Sequence, residues 1–180
     1  MERKELRFAG FGGQGIVLSG VVIGAAAAVF GDRFASQTQS YGPEARGGAC
    51  KSEVVISDEP VDYPMAMDLQ VLVTMSQEAL DKYVGDLRDG GTLIVDEDLV
   101  RRLPDENGSF TLHKIPATTV AEKELGRRIV ANMVMLGALV GITGIVSREE
   151  LEEAVKVSVP AGTEELNLSA VKRGYELASQ

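Results

Sequence analysis

Short apolar runs alternate along the chain with longer stretches of helical character, and the two periods separate predicted strands from predicted helices. Leu6–Ala9 is a short apolar run closed by glycines, the pattern of a central strand. The stretch that follows, Gly13–Phe30, has helical length and no proline. Arg33–Gln37 and Lys51–Ser57 predict a second and a third strand, the latter carrying the β-branched Val54, Val55 and Ile56. Leu69–Val73 and Thr92–Val95 read as further strands, each with turn or charged residues behind it. Ser76 predicts a helix cap, with Glu78 near the positive end. Thr119–Glu122 and Ser147–Glu150 both have capping-box spacing. An amphipathic helix is expected over Thr163–Ala178, and Lys114–Thr118, with Pro116, reads as a connection. Short buried strands alternating with helices predict an α/β fold, a mostly parallel sheet with helices on both faces. The length of 180 residues fits one domain, residues 1–180.

Two segments are apolar without interruption of face, Ile16–Phe30 and Ile129–Val146. The first is shorter than the ~20 residues that span a bilayer, and the second carries Asn132, Thr143 and three glycines. Both are expected as helices buried on nearly all sides, covered by a sheet and by another chain. Gly20-x-x-x-Gly24 and Gly137-x-x-x-Gly141 place small residues one turn apart on these helices, allowing close approach within the chain or between chains. The charged start Met1–Glu5 and the glycines that break the apolar stretch after it predict no export signal and no membrane association.

Charge narrows the picture. Eighteen Lys and Arg against 27 Asp and Glu give a formal net charge of −9, which points away from nucleic acid. Cys50 and His113 are the only residues of their types, whereas an iron–sulfur cluster takes about four thiolates and a zinc site about four ligands. Neither catalytic nor metal-ligating residues are therefore expected, and a single thiol fits a reducing cytoplasm. Cys50 reads as a small buried hydrophobe and His113 as a surface or loop residue at a strand end. Asp96-Glu97-Asp98 is expected as a solvated loop, and Arg101-Arg102 and Arg127-Arg128 as solvated helix ends. Neither a G-x-x-x-x-G-K-[ST] loop nor a G-x-S-x-G elbow occurs.

Gly10-Phe-Gly12-Gly13-Gln14-Gly15 satisfies G-x-G-x-x-G between a predicted strand and a predicted helix, the context of a Rossmann-like domain. Such glycines permit a tight turn, backbone contact with a phosphate and close helix–strand packing. The ribose-binding acid expected at the end of the second strand is missing, since that strand runs into Gln37-Thr-Gln-Ser40. Packing alone, a phosphate-facing loop shared with another subunit, and a free-standing nucleotide site all remain compatible with the motif. A second loop, Ser40–Gly48, holds Tyr41, Glu44, Arg46 and Gly47, and follows the second strand to the carboxyl edge where open α/β sheets bind ligands. An internal Glu44–Arg46 pairing is the alternative to a functional role.

Taken in order, GFGGQG, SYGPEARGGACKSEVVIS and NMVMLGALVG resemble the gamma subunit of 2-oxoacid:ferredoxin oxidoreductases over essentially the whole chain, and most resemble the 2-oxoglutarate branch. The resemblance implies a cytoplasmic complex that converts a 2-oxoacid and coenzyme A to acyl-CoA, carbon dioxide and reduced ferredoxin. It implies alpha, beta and ferredoxin-like delta subunits as partners, with thiamine diphosphate, Mg and iron–sulfur clusters on those chains and no cofactor on this one. Gly10, Gly12, Gly13, Gln14, Gly15, Tyr41, Glu44, Arg46 and Gly47 are the residues expected to face a cofactor, coenzyme A or the partner chains. A self-associating scaffold is the rival reading of the two apolar helices.

Overall fold

The computed structural model describes residues 3–40, 49–104 and 110–179. Six strands form one sheet: β1 (Arg3–Phe11), β2 (Phe34–Ser40), β3 (Ala49–Ser57), β4 (Leu69–Thr74), β5 (Leu87–Asp96) and β6 (Phe110–Ile115), in the order β2-β3-β1-β4-β5-β6. The pairs β1–β4, β4–β5 and β5–β6 are parallel. Only β3 runs the other way, between β1 and β2 and antiparallel to both. The sheet is mostly parallel as the alternation of elements predicts, but β3 separates β2 from β1.

Alternate positions along the strands feed two cores. Leu6, Phe8, Val54, Ile56, Val71 and Val73 face α1 (Ile16–Ala25), α4 (Ala131–Thr143), α5 (Arg148–Ser158) and α6 (Glu164–Ala178). Leu69, Leu72, Leu93 and Val95 face α2 (Gln77–Tyr83). Helices thus occupy both faces, unequally. The smaller face also buries charge: Arg7 reaches Glu53 (Nε to Oε1 2.8 Å) and Asp86, while Lys51 approaches the same Glu53 oxygen at 2.9 Å. Burial alone would push Glu53 up, but the hydrogen bond from Lys51 and the charge of Arg7 outweigh it and hold the carboxyl below its ordinary range.

The two apolar helices differ from each other. α4 is buried along nearly its whole length, and its cover comes from the sheet and from α6, within the chain. A Cβ on Gly137 would lie 2.0 Å from the Val171 carbonyl oxygen, and one on Gly174 2.0 Å from that of Val134, so the two helix backbones touch. Gly20 packs on Ser52 of β3, whereas nothing lies within 4 Å of a Cβ on Gly24. α1 continues as a π-helical turn, Ala26–Phe30, and its outer side is open, with Val21 and Val29 exposed. Among the described residues no helix is long and apolar enough to cross a membrane.

Several expectations need correction. Lys114–Thr118 is not a connection: Lys114 and Ile115 complete β6, and α3 (Ala117–Thr119) starts directly after Pro116. Thr119 caps nothing, because its N–H and hydroxyl both donate to the Asp98 carboxylate (2.6 and 2.8 Å). His113 lies within β6 opposite Ile94, half-buried, and burial lowers its pKa. Asp96 is not solvated but fully buried, accepting from the Thr118 hydroxyl at 2.6 Å. Arg101 and Arg102 sit in the loop after β5, where both backbone N–H groups donate to Gln77, whereas Arg127 and Arg128, both exposed, do stand at a helix end, the start of a 3-10 turn, Arg128–Val130, that leads into α4. Ser76 and Ser147 do cap α2 and α5, the latter as a full capping box.

Candidate functional site

β1 delivers the glycine motif to the carboxyl edge of the parallel strands. Gly10 still belongs to β1, and a Cβ there would meet Gln14 Oε1 at 2.4 Å. Gly15 is left-handed (φ 75°), and a Cβ on it would strike the Asn132 amide at 2.3 Å. Gly13 is also left-handed, at φ 93°. Packing or turn geometry therefore accounts for these three. Gly12 differs: it is exposed, its φ is not positive, and nothing lies within 4 Å of where a Cβ would sit.

Gln14 is spent inside the protein. Its Oε1 accepts from the Phe11 N–H (2.6 Å) and its Nε2 donates to the Met75 carbonyl (2.7 Å), which latches the β1 loop to the end of β4. Asn132 Nδ2 donates to the Gly15 carbonyl (3.3 Å), joining the start of α4 to the start of α1. Neither helix start has a side-chain cap or an acidic residue in its first turn, unlike α2 and α5. The starts of α1 and α4 thus meet at one edge, where the positive end of each helix dipole favours an anion.

Two hollows of about 270 and 260 Å³ flank this junction and share Gly13 and Ile129, the latter 72% exposed. The first is closed by Met75, Leu99, Thr118 and Arg128, the second by Leu18, Val159 and Leu166 among others. Thr118 is held by buried Asp96, whose pKa is raised chiefly by loss of solvent. Asn132, Thr118 and Arg128 escaped prediction as site residues. The one visible signal was Asn132, a lone amide in an apolar run.

Tyr41, Glu44, Arg46 and Gly47 lie outside the described residues. The residues bounding them, Ser40 and Ala49, stand at the same carboxyl edge, since Ser40 pairs with Lys51 and Ala49 with Phe11. The interposed β3 sets the end of β2 two strand spacings, roughly 10 Å, from the glycine loop. A β2 acid could not hold a ribose there as in a dinucleotide fold. Among the described residues no three His, Cys, Asp or Glu side chains gather as a metal site.

Residues 5–177 match the family model described as pyruvate ferredoxin/flavodoxin oxidoreductase. The chain belongs to that family. It is 56% identical over 178 residues to the 2-oxoglutarate synthase subunit KorC of Methanocaldococcus jannaschii, covering 99% of this chain and 95% of that one. The crystal structure of the keto/oxoacid ferredoxin oxidoreductase gamma subunit from Geobacter sulfurreducens superposes with a TM-score of 0.90 at 47% identity, over 99% and 98% of the two chains. The 2-oxoglutarate:ferredoxin oxidoreductase of Magnetococcus marinus, solved with 2-oxoglutarate, coenzyme A and succinyl-CoA, superposes at 0.88 and 27% identity. The match covers 99% of this chain but 31% of that one, so there the same unit is part of a longer polypeptide.

Proposed function

We propose that the protein, as a single gamma-type domain over residues 1–180, is a subunit of a cytoplasmic 2-oxoglutarate:ferredoxin oxidoreductase, completed by alpha, beta and ferredoxin-like delta subunits. The complex converts the 2-oxoacid and coenzyme A to acyl-CoA and carbon dioxide and passes electrons to ferredoxin. Thiamine diphosphate, Mg and the iron–sulfur clusters belong to the partner chains, in keeping with the single buried thiol of this one. This chain contributes architecture and a loop that faces a phosphate-bearing ligand.

Gly12 carries the second half of this reading. A glycine needed neither for φ nor for internal packing leaves a bare, exposed backbone in the loop that leads into α1, as contact with a phosphate requires. Gly13 and Gly15 shape the turn, Gln14 and Gly10 lock it to β4 and α1, and Tyr41, Glu44, Arg46 and Gly47 are assigned to the same ligand or to a neighbouring chain.

Purification of the tagged chain from its host under anaerobic conditions tests the first half. Co-purifying subunits with 2-oxoglutarate-dependent reduction of a viologen dye are the expected result, and recovery of this chain alone would overturn it. Gly12→Val tests the second half. It is expected to leave assembly intact and to raise the KM for coenzyme A about tenfold or more, whereas unchanged kinetics would assign the loop to packing.

A further inference from the structure

The segment between β3 and β4 behaves unlike a surface loop. Tyr63, Met65 and Met67 are 50%, 45% and 75% exposed. The Tyr63 hydroxyl meets Met65 Sδ at 3.6 Å, which brings these two side chains together, with Met67 exposed two residues on. The backbone beneath is fixed to the sheet. Arg3 donates to the carbonyls of Tyr63 (3.1 Å) and Met65 (3.4 Å), and the buried Glu5 carboxylate accepts from the N–H groups of Met67 and Asp68. A buried carboxylate is thus used to hold a strap whose apolar side chains point into solvent. Ordered methionines and an aromatic, presented together, form an adaptable contact surface.

We infer that this strap is the docking surface for another subunit of the same complex, one that offers an apolar depression bordered by lysine or arginine. The inference rests on the proposed function and names where assembly occurs. Charge selects the occupant. Exposed Glu59 and Asp62 lie on the strap and exposed Asp89 lies at the same amino-terminal edge of the sheet. Pairing two copies of this chain through the patch would bring two acidic straps together, because residues 58–68 carry four carboxylates and no Lys or Arg and a two-fold interface brings the same patch to both sides. An anionic membrane surface is disfavoured for the same reason. A basic-rimmed partner meets both the apolar centre and the acidic border. The larger Magnetococcus chain, of which this unit matches 31%, provides the precedent for further protein adjoining the unit. The strap lies at the opposite end of β1 from the glycine loop, about 26 Å away along the strand, so docking there leaves the ligand edge open.

The test uses the purified chain and the complex prepared from a host strain lacking it, with binding followed by interferometry. M65E/M67E, at positions already exposed, is expected to weaken binding about 30-fold or more with an unchanged thermal midpoint of the free chain. E59K/D62K, which leaves the apolar side chains in place, is expected to slow association and to abolish its salt dependence. If the wild-type chain binds and both variants bind equally well, the strap is not the interface, while the family role stands. If the wild-type chain does not bind, the proposed function fails and this inference with it. A homodimer of the isolated chain that M65E/M67E dissolves would make a second copy the occupant and overturn the inference.

Discussion

Arg7 and Glu53 illustrate how much a single buried pair decides. Both side chains are almost without solvent access, and the Arg7 guanidinium also lies 5.1 Å from the centre of the Tyr83 ring. Taking Arg7 away leaves Glu53 to Lys51 alone. Arg7→Met is therefore expected to cost about 1–3 kcal/mol in urea unfolding, and R7M/E53L to recover most of it. The pH dependence follows from the lowered Glu53 pKa. A carboxyl held below its ordinary value contributes stability that is present above about pH 4.3 and is lost as pH falls through the lowered value. The penalty of Arg7→Met should accordingly shrink in acid. Asp96 acts in the opposite sense, because its raised pKa means a contribution present below about pH 3.9 and lost as pH rises through the raised value. Asp96→Asn removes that loss. Its urea midpoint relative to wild type should climb between pH 4 and 7, and a flat difference would show that Thr118 and the Asp98 N–H compensate fully.

Among the elements, α1 and α4 give the sharpest contrast between glycines that look alike in sequence. Gly137→Ala drives a methyl into backbone and should cost at the upper end of about 1–3 kcal/mol, visible in the thermal midpoint. Gly24→Ala, with open space at its Cβ and a helical backbone, should stabilise by roughly 0.5–1 kcal/mol. The same i, i+4 spacing produced both, so spacing alone could not tell them apart. The cap of α5 was legible because its residues are local, and Ser147→Ala should cost about 1 kcal/mol. Thr119 carried an equal signal and lost to a competitor in the turn after β5, since Asp98 lies 21 residues away and no local rule names it. β6 went unread for another reason. As an edge strand it mixes Thr111, His113 and Lys114 with its apolar residues, and the alternation is too weak to stand out.

At the scale of the molecule, the α/β class and the places of the first five strands along the chain were readable from apolar runs and breakers. The direction of β3 was not. A strand buried on both faces has the same composition whichever way it runs, and its reversal is what separates β2 from the glycine loop. The site followed the same division. Its glycines are contiguous and visible, whereas the Gly15–Asn132 contact joins residues 117 apart. The closeness of α4 to α6 also bears on how the polypeptide is made. On the ribosome, α4 is complete before the first residue of α6 has been added, and the last residue of its cover is Ala178. Until α6 docks, α4 keeps an oily flank bare. Birth, not maturity, is then the hazardous moment for this protein, and refolding from denaturant at rising protein concentration should raise the fraction lost to aggregation without altering the stability of the molecules that escape.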